Sequence, residues 1–172
     1  MTGSRFIVVA LALALGACDG CGDDGASSPA ASAPTGPPSK LPLNPSDVVR
    51  LSKQRKIVKT ALRAHHGVEL EGAPADVPNL QRLIDEGIFS REELYERQSI
   101  GVAFGDAIAK ELSLRWVMVL RDHGTEPALC CGPDDSTIDV ISMITDPLDR
   151  GEKVDLAALK ASLTAQLRKA SD

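Results

Sequence analysis

Apolar residues recur every three or four positions in four stretches of the chain, and this spacing predicts four helices. The first is predicted over residues 47–66, with Ser46 as its N-cap and Gly67 as the residue that ends it. The second is short and covers residues 77–86, and the last begins at Asp155.

The third predicted helix has a start signal of its own. Ser90 and Glu93 have the spacing of a capping box, and Phe89 and Leu94 have that of a hydrophobic staple. We therefore expect this helix to begin at Ser90 and to end near Leu112.

Small residues lie on one face of this third helix, at Gly101, Gly105 and Ala109. Glycine costs about 1 kcal/mol relative to alanine inside a helix. We therefore expect a close packing contact to offset that cost, with the sheet around Trp116 as the neighbour.

Between the third and fourth helices the pattern changes to the alternation of a β-strand. Trp116, Met118 and Leu120 are predicted to face one side of this strand, and the two valines between them the other.

A returning strand is predicted over residues 125–131, after a turn that includes Gly124. Pro127 has no backbone N–H to donate, which places it at an edge of the sheet. A third strand is predicted over residues 137–141. Together these elements predict an α+β fold, in which about four helices pack on one face of a small antiparallel sheet of about three strands.

The beginning of the chain has a different pattern. One basic residue, Arg5, precedes an unbroken apolar run over residues 6–15. Ten helical residues cover roughly 15 Å, about half of a ~30 Å hydrocarbon core, so the run is too short to span a bilayer. Its length is typical of the apolar part of a signal peptide.

The four residues that end this run, Leu15-Gly16-Ala17-Cys18, resemble a bacterial lipobox. The resemblance implies that a signal peptide, residues 1–17, is removed and that Cys18 is lipidated. Ordinary secretion, and a redox or metal role for the C-x-x-C formed by Cys18 and Cys21, remain the alternatives.

The segment that follows, residues 18–46, is rich in proline, serine, glycine and alanine. It has too little apolar surface to offset its backbone entropy, so we expect a disordered tether. Residues 47–172 are then long enough for a single globular domain.

Composition limits the classes of function. The net charge of −5 and the aromatic content of 3% argue against a nucleic-acid partner. Basic residues nevertheless concentrate on the first helix, which has no acid between Val48 and Gly67. This surface is either a solvated helix face or a contact for anionic lipid or an acidic partner. Its candidate contacts are Arg50, Lys53, Lys56, Lys59 and Arg63, with Arg55 on the same helix.

Adjacent cysteines at Cys130 and Cys131 are candidates for structural thiols, for a disulfide, or for a redox or metal site. His65 and His66 are neighbours on a helix, where their side chains diverge by about 100°, so they suit a common metal ion poorly. We expect no metal and no cofactor.

Four stretches resemble an uncharacterised bacterial family defined by a domain of unknown function: residues 79–89, 100–106, 114–119 and 122–129. The most specific marks are a Gly-x-x-x-Gly-Asp helix and a hairpin that begins with tryptophan and turns at Asp-x-Gly. The resemblance implies an accessory domain and implies no catalytic residue.

These features together predict a membrane-anchored lipoprotein of the bacterial cell envelope, on the periplasmic side of the inner or outer membrane. Its domain is expected to be a non-catalytic binding module for a protein or cell-wall partner. An immunity-type inhibitor lipoprotein is one alternative. A periplasmic enzyme that uses Asp106, Asp122 or His123 is another.

Overall fold

The computed structural model describes residues 39–121, 124–130 and 136–170, which form five α-helices and four β-strands. The helices are α1 (Pro45–His66), α2 (Val77–Asp85), α3 (Leu94–Leu112), α4 (Ser142–Asp149) and α5 (Leu156–Ala170), with a 3-10 helix at Pro74–Asp76 before α2. The strands are β1 (Lys40–Leu41), β2 (Arg115–Arg121), β3 (Gly124–Cys130) and β4 (Thr137–Ile138).

The sheet is antiparallel throughout, in the order β1-β2-β3-β4. The expected α+β fold is confirmed, with one more strand and one more helix than expected. β3 lies between two strands, but β4 pairs only with Leu129 and Cys130. Pro127 lies outside this short ladder. On the side of β4, β3 has no described neighbour at Pro127, so the missing N–H of the proline is tolerated there, as at an edge of the sheet.

Strand β1 shows that the folded part begins earlier than composition indicates. Lys40 pairs with Val119, and Leu41 pairs with Met118. Both residues fall in the segment expected to be a tether. The sequence did not predict β1, because a strand of two residues is too short to show an alternating pattern. Its position is set by its pairing with the edge of β2. Residues 1–38 lie outside the described part of the chain.

Helix α1 begins two residues before the predicted start. Asn44, not Ser46, is the N-cap: its Oδ1 accepts a hydrogen bond from Asp47 N at 3.0 Å, and Asp47 Oδ2 accepts one from Asn44 N at 3.1 Å. Pro45 then occupies the first helical position, where its fixed φ suits the helix. The predicted end is confirmed, since Gly67 has φ of +66°.

The predicted start of α3 at Ser90 is wrong. Glu93 Oε2 accepts a hydrogen bond from Ser90 N at 2.8 Å, as in a capping box, but the helix begins only at Leu94. Glu93, with φ of −87° and ψ of 61°, is not helical, and Arg97 Nη2 donates a hydrogen bond to the Arg91 carbonyl at 2.7 Å in the segment before the helix. Leu94 is 46% exposed, so it does not form the expected staple.

The other helix boundaries agree with the sequence more closely. Helix α2 ends one residue before the predicted end, and α3 ends at Leu112 as expected. Asp155 caps α5, since its Oδ1 accepts a hydrogen bond from Ala158 N at 2.9 Å. Helix α4 was not predicted, because Pro147 lies inside it.

The main core lies between the helices and one face of the sheet. Trp116, Leu129 and Ile138 pack from the sheet onto a helical core centred on Phe104. The opposite sheet face carries a second buried cluster of Val117, Val119, Ala128 and Cys130. The predicted alternation along β2 is therefore confirmed. Among the residues described, no helix is long and apolar enough to cross a bilayer.

Candidate functional site

The small residues of α3 are packing positions. A Cβ on Gly105 would lie 2.6 Å from Trp116 Cη2 and 2.9 Å from Val140 Cγ2. A Cβ on Gly101 would lie 2.9 Å from the Cα of Ile141. Ordinary carbon–carbon contacts are about 3.5–4.0 Å. The expected close approach around Trp116 is thus confirmed, and it extends to the residues before α4.

Asp106, next to Gly105, joins three elements of the fold. Its carboxylate accepts hydrogen bonds from Arg55 Nε at 2.6 Å, from Arg55 Nη2 at 2.8 Å and from Trp116 Nε1 at 2.9 Å. The hydrogen bonds to Asp106 raise the pKa of the Arg55 guanidinium above its ordinary value. The Gly-x-x-x-Gly-Asp motif therefore connects α3 to α1 and β2.

This contact bears on the candidate catalytic residues. Asp106 is bound to a guanidinium and an indole, which is the environment of a residue that stabilises the fold. Asp122 and His123 lie outside the described residues. A catalytic role for Asp122 or His123 therefore stays a prediction.

The other basic residues of α1 lie in different environments. Lys59 and Arg63 both bind Glu69, at 3.2 Å and 2.5 Å. Hydrogen bonds from Arg63 and Lys59 lower the pKa of the Glu69 carboxyl. Lys53 and Lys56 are exposed and have no ion-pair partner among the residues described. Contact of this helix with an anionic surface stays a prediction.

Arg50, the fifth candidate of this surface, turns toward the sheet. Its Nη2 lies 3.8 Å from Met118 Sδ and 3.9 Å from Asp47 Oδ1. Its Nε is buried, with no hydrogen-bond partner in the described chain. Arg50 therefore lines the wall of a cleft, while its side chain stays 40% exposed, so its contact with an anionic surface also stays a prediction.

The candidate cysteine and histidine sites remain predictions. Cys130 is buried on the second sheet face, while Cys18, Cys21 and Cys131 lie outside the described residues. His66 is buried at the end of α1, with Nε2 3.6 Å from Glu86 Oε2. Within the described ranges, no group of three or more His, Cys, Asp or Glu side chains could hold a metal ion.

A polar cleft of about 320 Å³ lies between α1, α3, the first residues of β3 and the beginning of α4. This volume is at the lower end of the range typical of small-ligand sites. The cleft is lined by side chains and backbone of Arg50, Gln54, Tyr95, Gln98, Gly124, Thr125, Glu126, Pro127, Asp139, Ile141, Ser142 and Thr145.

The acidic groups of the cleft are held by one arginine. Arg121 Nε lies 2.9 Å from Glu126 Oε2, and its Nη2 lies 3.2 Å from Asp139 Oδ2. Asp139 also accepts hydrogen bonds from the backbone N of Ser142 at 3.2 Å and from its hydroxyl at 3.0 Å. The hairpin and α4 are thereby fixed relative to each other at the cleft.

Gln54 is the most unusual residue of the cleft. It is only 3% exposed and is one of the buried polar residues among those described. It stands on the buried face of α1 with Leu51, Val58 and Leu62. Sequence analysis missed it, although a glutamine within an apolar helical stripe was the available signal.

A comparison with known families matches slightly less than half of the chain. Residues 76–159 match the family model of DUF3806, a domain of unknown function. The expected resemblance to an uncharacterised family is confirmed over this segment. The DUF3806 segment contains all of α2, α3, β2, β3, β4 and α4. Arg50, Gln54 and Arg55 precede it, so α1 completes the cleft from outside the matched segment.

Comparison with solved structures supports the fold. A crystal structure of a protein from Bacteroides thetaiotaomicron VPI-5482, solved at 1.50 Å, superposes with a TM-score of 0.68 and 19% sequence identity. The match covers 74% of this chain and 47% of that protein, so the chain corresponds to about half of its relative's length. No curated protein matches this chain.

Proposed function

We propose that this protein is a lipoprotein of the bacterial cell envelope, anchored by lipid at Cys18, whose folded domain binds an envelope partner. Support for the anchor comes from the apolar run over residues 6–15 and the lipobox-like residues that end at Cys18. Two or three acyl chains make anchoring effectively permanent, whereas a single chain gives marginal binding. The domain faces the periplasm, at the inner or outer membrane.

The polar cleft is the observation that carries the binding role. Its neutral hydrogen-bonding side chains outnumber its charged ones, and its two carboxylates are engaged by Arg121. Such a lining suits reversible recognition of a polar group better than proton transfer, which needs an acid or base free to change its charge. The partner is a protein or a cell-wall component rather than a nucleic acid, in keeping with the net charge of −5.

Membrane fractionation of the native bacterium tests the anchor. The wild-type chain is expected in the membrane fraction and to be released by detergent. Cys18→Ser removes the acylated sulfur and should leave the chain with its signal segment uncleaved and without added lipid. Cys21→Ser is the matched control and should behave as wild type. Equal behaviour of the two variants would refute lipidation at Cys18.

A further inference from the structure

The first half of α1 carries apolar and basic side chains on one outward face. Val49 is 52% exposed, and Lys53 and Lys56 follow it at helical spacing, which places all three on the same side of the helix. This side lies opposite the buried stripe that contains Leu51 and Val58. Both lysines are exposed, and neither has an ion-pair partner among the residues described. The helix thus presents two unpaired cations next to an exposed apolar group.

Tyr95, in the first turn of α3, extends this face onto a second helix. It is 38% exposed and lines one surface depression with Val49 and Lys53. The other residues of that depression are Pro45, Ser46 and Arg50. Tyrosine has an apolar ring and a polar hydroxyl, and it is enriched at membrane–water interfaces. We call Val49, Lys53, Lys56 and Tyr95 the α1 surface.

The α1 surface has the composition of a contact for lipid headgroups. Helices that lie on a bilayer combine lysines with exposed apolar side chains. The apolar stem of a lysine can follow the apolar groups while its ammonium group reaches the lipid phosphates. Protein–protein interfaces, in contrast, are depleted in lysine. The two lysines therefore favour a membrane over a protein as the partner.

Charge identifies an anionic bilayer as that membrane. The chain carries a net charge of −5, so it is attracted to anionic headgroups only through a locally basic surface. Residues 48–67 contain no acid. Lys59 and Arg63 are held by Glu69, so the attraction is concentrated at the first two lysines of α1. Each lysine near an anionic membrane strengthens association about fivefold, equivalent to about 1 kcal/mol.

The chain brings the α1 surface close to the proposed lipid anchor. Strand β1 fixes residues 40–41 to the sheet, and α1 begins at Pro45, shortly after it. The composition of residues 18–38 predicts a flexible chain, and a flexible chain of about 20 residues has an end-to-end distance of roughly 25 Å. Attachment over such a distance gives an effective concentration in about the millimolar range. Contacts too weak to hold a free protein are then sufficient.

We propose that the α1 surface docks on the anionic phospholipid headgroups of the bilayer that holds the anchor. This inference rests on the proposed lipidation at Cys18, which supplies the proximity. Docking holds the domain in one orientation, with the side of α1 that carries Val49 toward the membrane.

Lysine labelling of the native protein on vesicles tests the inference. Protein purified from bacterial membranes is added to preformed vesicles of phosphatidylcholine, or of phosphatidylcholine and phosphatidylglycerol in equal amounts. Mass spectrometry then follows the acetylation of each lysine. Docking should slow acetylation of Lys53 and Lys56 about threefold or more on the anionic vesicles, and about 0.5 M salt should abolish the difference. Lys153, exposed in the loop before α5, is the internal control and should react equally on both vesicles.

Two matched variants connect docking to Val49. Val49→Asp removes the apolar contact and adds a negative charge beside the lysines, so Lys53 and Lys56 should react equally on both vesicles. Val48→Asp makes the same change at a neighbouring valine that is 50% exposed but lies about 100° away around the helix. It should keep most of the protection. Equal protection in wild type and Val49→Asp would contradict the assignment.

Flotation of the vesicles separates the anchor from docking. Protein that floats with neutral vesicles but is acetylated equally on both lipids retains the anchor and overturns docking. Protein that floats only with anionic vesicles, and is protected there, lacks the anchor and supports docking. Slow acetylation of Lys53 and Lys56 on both vesicles alike would indicate contact with a second copy of the chain and would overturn the lipid assignment. Protein that floats with neither vesicle contradicts both proposals.

Discussion

Replacing Gly105 with alanine tests how α3 packs on the sheet. The added Cβ would lie 2.6 Å from Trp116 Cη2 and 2.9 Å from Val140 Cγ2. Both distances are about 1 Å shorter than an ordinary carbon–carbon contact. The indole cannot move away freely, because its Nε1 donates to Asp106 at 2.9 Å. Either the helix shifts or the hydrogen bond to the carboxylate is strained.

Opposing contributions set the magnitude. Alanine gains about 1 kcal/mol of helix propensity over glycine. Overpacking costs about 1–3 kcal/mol, and weakening a hydrogen bond to a charged group costs up to about 1.5–3 kcal/mol. We therefore expect Gly105→Ala to lose about 1–3 kcal/mol of unfolding free energy. A loss of about 2 kcal/mol would lower the melting temperature by roughly 6–10 °C for a domain of this size.

Urea unfolding followed by fluorescence measures this effect, since Trp116 is the one tryptophan of the chain. Ser162→Ala, an exposed position on α5, is the control and should change stability by less than about 0.5 kcal/mol. Trp116→Phe removes the indole atoms that an added Cβ would contact. The double variant Gly105→Ala/Trp116→Phe should therefore lose less unfolding free energy than the two single variants together. Calorimetry measures this, because the double variant has no tryptophan. A neutral or stabilising Gly105→Ala would refute the packing described here.

Three further predictions concern single contacts. Asp106→Asn should lose about 1–3 kcal/mol in urea unfolding, because charge-assisted hydrogen bonds from a guanidinium and an indole are weakened; unchanged stability would contradict this. Asn44→Ala should lower the unfolding free energy by about 1 kcal/mol, because it removes the N-cap of α1. Ser46→Ala should change thermal stability little. A larger loss in Ser46→Ala than in Asn44→Ala would mean that α1 begins later. The pKa of the Glu69 carboxyl, measured by NMR titration, should lie below the ordinary value for glutamate because Arg63 and Lys59 donate hydrogen bonds to it, and Arg63→Gln should raise it. Because the folded pKa is lowered, the small stabilisation from this exposed pair is present at neutral pH and is lost as the pH falls through the lowered pKa.

Local signals in the sequence predicted which helices and strands form better than they predicted the residues at which these elements begin and end. Gly67 ends α1 as expected, because the αL conformation after a helix favours glycine. Asn44, and not the predicted Ser46, is the N-cap of α1, since Asn44 forms a capping box with Asp47. The expected capping-box contact at Ser90 forms, yet α3 begins only at Leu94. Arg97, in the first turn of α3, binds Asp149 of α4 at 2.6 Å, a contact that no local pattern contains.

The cleft shows the same division between local and tertiary information. Gln54 interrupts the apolar stripe of α1 and was visible in the sequence as a polar residue at a core position. Its neighbours in the cleft come from α3, the hairpin and the beginning of α4, and folding alone brings them together. Candidate sites at Cys18, Cys21, Cys131, Asp122 and His123 fall outside the described residues and remain predictions.

Mass spectrometry of the protein purified from bacterial membranes tests the proposed function most directly. We expect the first residue to be Cys18, with residues 1–17 absent and a diacylglyceryl group on its sulfur. A freely soluble chain that retains Met1 and carries an unmodified thiol at Cys18 would contradict the proposal.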